Sequence, residues 1–336
     1  MPLLLLTLLA ATAWWLWKGN TGSTFAGALT DFAVADTASV DRIFIADKNG
    51  GTADLRRVSG GWTINGMPAK TFQVDLLLKT FKLVELRAPV PKSMEASVLR
   101  VMAGTAKKVE IYQGGKQPSK IWWIGDGSAD HYGTYMVLEI PGKGRSNVPF
   151  EMGMAAFTGV LNTRFHTVVD DWRSSKVTDY PTLADISKVQ LEIPGHPEEG
   201  YTIDFAGGDN LTLRNTGGQE VPMDTLRVQH LMLALRSGSL EGYDRTLGHA
   251  QRDSLLKSTP WYVLRITSTR GVQRIPFWRK AADPGAKDLD FNPLTEDINR
   301  MYALVDDTAL VTVQRYWWDR ITRPLSSLEP QPPPQH

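Results

Sequence analysis

One order of elements runs through this chain twice, and that recurrence constrains its fold more than any other feature. The first pass opens with short β-branched or aromatic runs, Val40–Ala46 (VDRIFIA), Ala53–Val58 (ADLRRV) and Gly61–Asn65 (GWTIN), punctuated by Gly, Asn and Ser as in a strand meander. An amphipathic helix follows over Thr71–Arg87, with Val74, Leu77, Leu78, Phe81 and Val84 at helical spacing; Pro89 and Pro91 stop it. A second helix over Ser93–Ala103 opens at a Ser cap. Strands Lys108–Tyr112, Lys120–Ile124 and Thr134–Ile140 come next, with Val148–Met152 as a further candidate.

The second pass repeats this order. Its strands are Ser187–Ile193, Tyr201–Ala206 and Asn210–Asn215, followed by a helix over Pro222–Arg236 and a shorter one near His249–Lys257. Strands Trp261–Thr267, Val272–Trp278, Met301–Val305 and Ala309–Arg315 complete it. Wording recurs too: Tyr135-Met136-Val137-Leu138-Glu139 beside Tyr302-Ala303-Leu304-Val305-Asp306, and Trp122-Trp123 beside Phe277-Trp278. The reading is an α+β chain with two similar modules, 40–164 and 187–322, arising by internal duplication. Each is expected to be a mostly antiparallel meander sheet with two helices against one face. Residues 165–186 link them, and 323–336 form a proline-rich tail.

The N-terminus is a second constraint. Leu3 to Trp17, LLLLTLLAATAWWLW, is uncharged and mostly apolar, and Lys18 ends it. Such a helix spans roughly 22–25 Å, a little short of the hydrocarbon core of a bilayer. Leu3, Leu6 and Leu9 would meet lipid, while Trp14, Trp15 and Trp17 beside Lys18 have the pattern of an interfacial aromatic belt and a snorkelling cation. Residues 1–18 are therefore read as an uncleaved signal-anchor, with 19–39 as a tether. The competing reading is a cleaved signal peptide, with Ala11-Thr12-Ala13 or Ala26-Gly27-Ala28 as small-residue sites. On the anchor reading the chain crosses a membrane once, with the rest of it on one side, and the absence of cysteine is compatible with that side being a periplasm.

From Phe32 to Gly66 the chain reads FAVADTASVDRIFIADKNGGTADLRRVSGGWTING, and Lys107–Gly115 (KKVEIYQGG) and Gly133–Glu139 (GTYMVLE) follow the first helix. In order and wording these segments resemble the DUF4340 family of bacterial envelope proteins, frequent in Bacteroidota-type bacteria. The likeness is clearest over about residues 30–170 and fainter to about 320. It implies an envelope role, or an accessory role beside ABC-type transport components of the gliding-associated kind. It brings no active site with it.

Charge and reactive residues narrow the function. Lys plus Arg is 37 against 36 Asp plus Glu, a formal net charge of +1, which disfavours nucleic acid as a partner. Cysteine is absent, which excludes disulfides, thiolate metal sites and a cysteine nucleophile. The six histidines are dispersed, with no H-E-x-x-H pair, and there is neither a G-x-S-x-G elbow nor a phosphate-binding P-loop. The best acidic cluster, Asp126-Gly-Ser-Ala-Asp130-His131, lacks the ligand spacing of a calcium loop and reads as a solvated turn. No catalytic, cofactor or metal residue is therefore assigned.

Eleven tryptophans are many for this length. Trp122-Trp123 and Trp317-Trp318 are adjacent pairs, and neighbours on a strand point to opposite faces, so only one of Trp122 and Trp123 can enter its module's core. These four are the candidate partner-binding residues. The expected function is a membrane-anchored, non-catalytic scaffold or accessory subunit whose partners are the bilayer and other envelope proteins. A transport-linked periplasmic ligand-binding module and an envelope hydrolase are the alternatives.

Overall fold

Strand alternation fixes the layering of this molecule. The computed structural model describes residues 29–206 and 210–330. The expected anchor (Leu3, Leu6, Leu9, Trp14, Trp15, Trp17 and Lys18), residues 19–28 of the tether and residues 331–336 of the tail lie outside them. Among the described residues no helix is long and apolar enough to cross a membrane. The chain is mixed α+β and divides into two units, Met1–Ser174 and Ser175–His336, each built on one antiparallel sheet.

The first unit contains β1 (Arg42–Ala46), β2 (Thr52–Val58), β3 (Gly61–Ile64), β4 (Met67–Pro68), helix α1 (Thr71–Leu83), β5 (Val84–Pro89) and helix α2 (Lys92–Thr105). After these come β6 (Lys107–Tyr112), β7 (Lys120–Gly127), β8 (Thr134–Ile140), β9 (Gly144–Arg145) and β10 (Phe150–Met154). The sheet order is β4-β3-β2-β1-β6-β7-β8-β10-β5, with β9 beside β8. The helix expected to run to Arg87 stops at Leu83. The chain then turns extended and pairs as edge strand β5 with β10, Val84 opposite Met154. At α2 the N-cap position is Pro91, so Ser93 lies inside the first turn and caps nothing.

The second unit contains β11 (Ile186–Glu192), β12 (Tyr201–Phe205), β13 (Leu211–Asn215), helix α3 (Thr225–Leu235), β14 (Gly242–Tyr243) and helix α4 (His249–Lys257). Four longer strands follow: β15 (Tyr262–Ser268), β16 (Gly271–Ala281), β17 (Glu296–Val305) and β18 (Ala309–Gln314). The order is β13-β12-β11-β15-β16-β17-β18-β14. Apart from the short β4 and β9, the strand order is the same in both units, with β14 in the place of β5. Asp224 caps α3 by accepting from the Arg227 amide at 3.1 Å.

Tracing the ladders sets the residue correspondence. Ile43 faces Leu55 and Ile111, as Val189 faces Ile203 and Ile266. With Ile43 placed on Val189, Ile124 falls on Phe277 and Tyr135 on Tyr302. The likeness of Trp122-Trp123 to Phe277-Trp278 is thus two residues out of register, a slip that leaves each side chain on its own face.

The expectation of both helices on one face is wrong. Val74, Leu77, Leu78 and Phe81 of α1 join Trp122, Met136 and Leu138 in the main core of the first unit. Val98 and Met102 of α2 pack with Val137 and Trp123, which belong to the opposite face. In the second unit α3 covers the face of Phe277 and Ala303, while Leu255 and Leu256 of α4 pack with Trp278 and Tyr302. Consecutive apolar residues on β7, β8, β16 and β17 give both faces something to bury.

The segments expected to be tether, linker and tail also enter the cores. Phe32 and Val34 are buried, with Phe32 edge-on to Trp122 at 6.0 Å. Phe165 and Trp172 pack in the first unit, Val177 and Tyr180 in the second. Leu325 and Leu328 are buried against the second core, and the Leu328 carbonyl accepts from the Asp224 amide at 2.7 Å.

Candidate functional site

The four predicted tryptophans part into two groups. Trp122 is 0% exposed, ringed by Phe32, Phe81 and Phe165 at centroid distances of 6.0, 5.0 and 6.2 Å. Trp318 is also 0% exposed; its Nε1–H donates to the Ser239 carbonyl at 3.0 Å, and its ring lies 5.2 Å from Phe277. Both fill the core of their own unit and offer a partner nothing, so they leave the partner-binding set. Trp317 and Trp318 sit in a short helical turn, Arg315–Trp318, rather than on a strand, and the turn sends one inward and leaves the other half-buried.

Trp123 and Trp317 remain. Trp123 is half-buried on the α2 face of β7, and its Nε1–H donates to Glu139 Oε2 at 2.9 Å. Three cations surround its ring: Arg145 at 4.4 Å, Lys48 at 5.7 Å and Lys108 at 5.8 Å from the centroid. Exposed cation–π contacts of this kind are each worth about 0.5–1 kcal/mol. They hold the indole in one orientation and surround it with positive charge.

Trp317 borders a cavity of about 480 Å³ in the second unit. Arg227, His230, Leu231 and Ala234 lie at i, i+3, i+4 and i+7 spacing along α3 and form one wall. Arg320 and Arg323 supply the other. Arg320 stacks 5.5 Å from the Trp317 ring and donates to the Tyr316 hydroxyl at 2.6 Å. His230 is exposed on this wall. The arginines escaped the sequence reading because Arg227 and Arg320 are far apart in the chain and no motif marks their meeting. Their one visible trace is the run Arg315, Arg320 and Arg323 around the Trp317-Trp318 pair.

The acidic loop is tied up in its own turn. Asp130 accepts from the Ser128 hydroxyl at 2.6 Å and the Tyr132 amide at 3.0 Å, and Arg87 pairs with it at 3.0 Å. The Ser128 hydroxyl first, then the Tyr132 amide and Arg87, hold its carboxyl down to about 2. Arg87 also bonds Glu151 at 2.9 Å, and Asp126 accepts from the Thr105 hydroxyl at 3.4 Å. His131 takes a φ of 61°, which turns the loop. Among the described residues no group of three or more His, Cys, Asp or Glu is arranged to hold a metal ion.

A polar cluster in the first unit went unread in the sequence. The imidazole of His166 stacks on Trp172 at 4.4 Å and 19°, and its Nε2 lies 2.9 Å from Gln73 Nε2. Burial pushes the His166 pKa down, against a weaker pull upward from Asp171. Asp47 bonds the Thr167 hydroxyl, which lowers its pKa, and burial lowers that of Lys107. The side chains come from β1–β2, α1, β6 and the segment after β10, so only the fold brings them together.

No family model, curated protein or solved structure matches this chain.

Proposed function

We propose that this chain is a membrane-anchored, non-catalytic scaffold or accessory subunit of a bacterial envelope or transport-associated complex. Its two units would lie on the periplasmic side of the inner membrane, held by Leu3–Trp17 with Lys18 at the interface. The carrying observation is Trp123, a half-buried indole among Arg145, Lys48 and Lys108. Tryptophan and arginine dominate interface hot spots, and confinement to a membrane raises the effective concentration of any membrane partner. The resemblance to the DUF4340 family agrees with an envelope role, and the shared strand order supports an internal duplication. The hydrolase reading has less behind it, because Arg87 and Ser128 already occupy the Asp130 carboxylate.

Copurification from detergent-solubilised native membranes tests this. The wild-type chain is expected to stay with the membrane through a carbonate wash and to bring an envelope subunit with it. Trp123→Ala should weaken that association by roughly 2–4 kcal/mol and leave the fold intact. Release of a soluble form beginning near Thr12–Leu29 would overturn the anchor. Full retention of the partner by Trp123→Ala would overturn the docking surface.

A further inference from the structure

We propose that the cavity beside Trp317 binds a small anion carrying an apolar body: a phosphate, sulfonate or carboxylate head on an aromatic or aliphatic group. The inference stands apart from the docking role of Trp123, which lies in the other unit.

The polar lining consists largely of donors. Arg227, Arg320 and Arg323 contribute guanidinium N–H groups, and among the described residues no carboxylate lies in the cavity wall. The charge of Arg227 is already met, by Asp224 Oδ2 at 3.1 Å and by the Ser327 carbonyl at 3.0 Å. Arg320 and Arg323 differ, since among the described residues neither has a carboxylate at salt-bridge distance. Two cations gathered at one concave site without a counter-charge repel each other, and an oxyanion would relieve that repulsion.

The guanidinium forks of Arg320 and Arg323 match the paired oxygens of a carboxylate or phosphate.

The rest of the lining selects an apolar body. Leu231 and Ala234 are buried in the wall, Leu233 stands at the rim and the Trp317 ring contributes an aromatic surface. A volume of about 480 Å³ lies within the range of small-molecule sites. An inorganic ion alone would leave most of that surface wet.

The frame is fixed in advance. Trp318 is locked by its bond to Ser239, the Trp318 carbonyl accepts from the Ile321 and Thr322 amides at 2.9 and 2.8 Å, and Leu325 is buried just beyond Arg323. Helix α3 is pinned by Val228, Leu231 and Leu235. Little ordering remains to be done on binding, which favours affinity.

The test is calorimetry on the full chain in a non-ionic detergent, with heats into protein-free detergent subtracted. The probes are 1-naphthyl phosphate, 1-naphthol, inorganic phosphate and dihexanoyl phosphatidic acid. Naphthyl phosphate is expected to bind at least about tenfold more tightly than either naphthol or inorganic phosphate, since head and body both contribute. Tighter binding of the phosphatidic acid than of naphthyl phosphate would identify a lipid as the source, and the reverse order a soluble organic anion; either supports the chemistry. The double variant Arg320→Ala/Arg323→Ala should weaken binding by at least about tenfold. Trp317→Phe should weaken it with an unchanged circular dichroism spectrum, and Arg274→Ala, exposed on β16, should change nothing. Equal binding of naphthol and naphthyl phosphate, or full affinity in the double variant, would overturn the proposal.

Discussion

At matching positions of the two sheets, the first unit has Gly125 and the second has Trp278, and that difference reshapes the face each second helix covers. A Cβ on Gly125 would come 2.8 Å from Met102 Cγ of α2 and 3.1 Å from the Tyr135 carbonyl oxygen. The missing side chain is what lets α2 lie close on β7, sealing a small cluster of Val90, Val98, Met102 and Val137. In the second unit the Trp278 ring fills that space, donates from Nε1 to the Ser258 carbonyl at 3.2 Å, and α4 packs on it with Leu255 and Leu256. No described residue of α4 is buried, whereas Val98 and Met102 of α2 are. Beside Trp278 a shallow apolar groove runs between α4 and the sheet, with Leu247, Leu255 and Tyr302 in its walls. One topology thus tolerates two solutions, a large side chain on the helix with a gap on the strand, or the reverse.

The largest effects should come from the main cores, where the units are alike. Trp122→Ala and Trp318→Ala should each destabilise by about 3–5 kcal/mol, read as a fall in urea midpoint and as faster hydrogen exchange within the substituted unit. A loss under 1 kcal/mol at either would remove that tryptophan from the core.

The second faces should separate them. Trp278→Ala is expected to cost about 3 kcal/mol, because a cavity opens beneath α4. Gly125→Ala should cost about 1–2 kcal/mol, since the end of Met102 can yield but the Tyr135 carbonyl cannot. If Gly125→Ala were neutral in a denaturation curve, close approach of α2 would not be what the glycine provides.

The smallest effect is a pH dependence confined to the first unit. Burial holds the folded-state pKa of His166 below the ordinary value of about 6.5, so the unfolded chain takes up the proton first as the solution is acidified. The His166 contribution is therefore complete above pH of about 6.5 and is lost progressively as the pH falls below it. His166→Gln should flatten the slope of stability against pH between about 7 and 5, measured as denaturation midpoints. An unchanged slope would mean that the imidazole is not held neutral against Trp172.

Much of the architecture was already legible. The periods of two and of about 3.6 placed nearly every strand and helix of both units in order, because those periods follow from backbone geometry and need only local sequence. Asp306 and Asp307 take φ values of 51° and 53° in the turn between β17 and β18, where short acidic residues tolerate the left-handed region. The edge strands β5 and β14 were missed because Val84–Pro89 and Gly242–Tyr243 are strands only through partners far away in the chain, on β10 and β18. Phe32, Val34, Leu325 and Leu328 looked like parts of connecting segments because nothing local shows what they bury against.

The sequence by itself determined the class, the order of elements, the scattering of reactive residues and the rule that Trp122 and Trp123 take opposite faces, all consequences of composition and of one chain's own periodicity. Only the tertiary structure decided which member of each tryptophan pair goes inside, that α2 and α4 cover the far faces, and that Arg227, Arg320 and Arg323 meet around Trp317. Those outcomes depend on contacts between residues distant in sequence, where packing and charge act through space and leave no period to read.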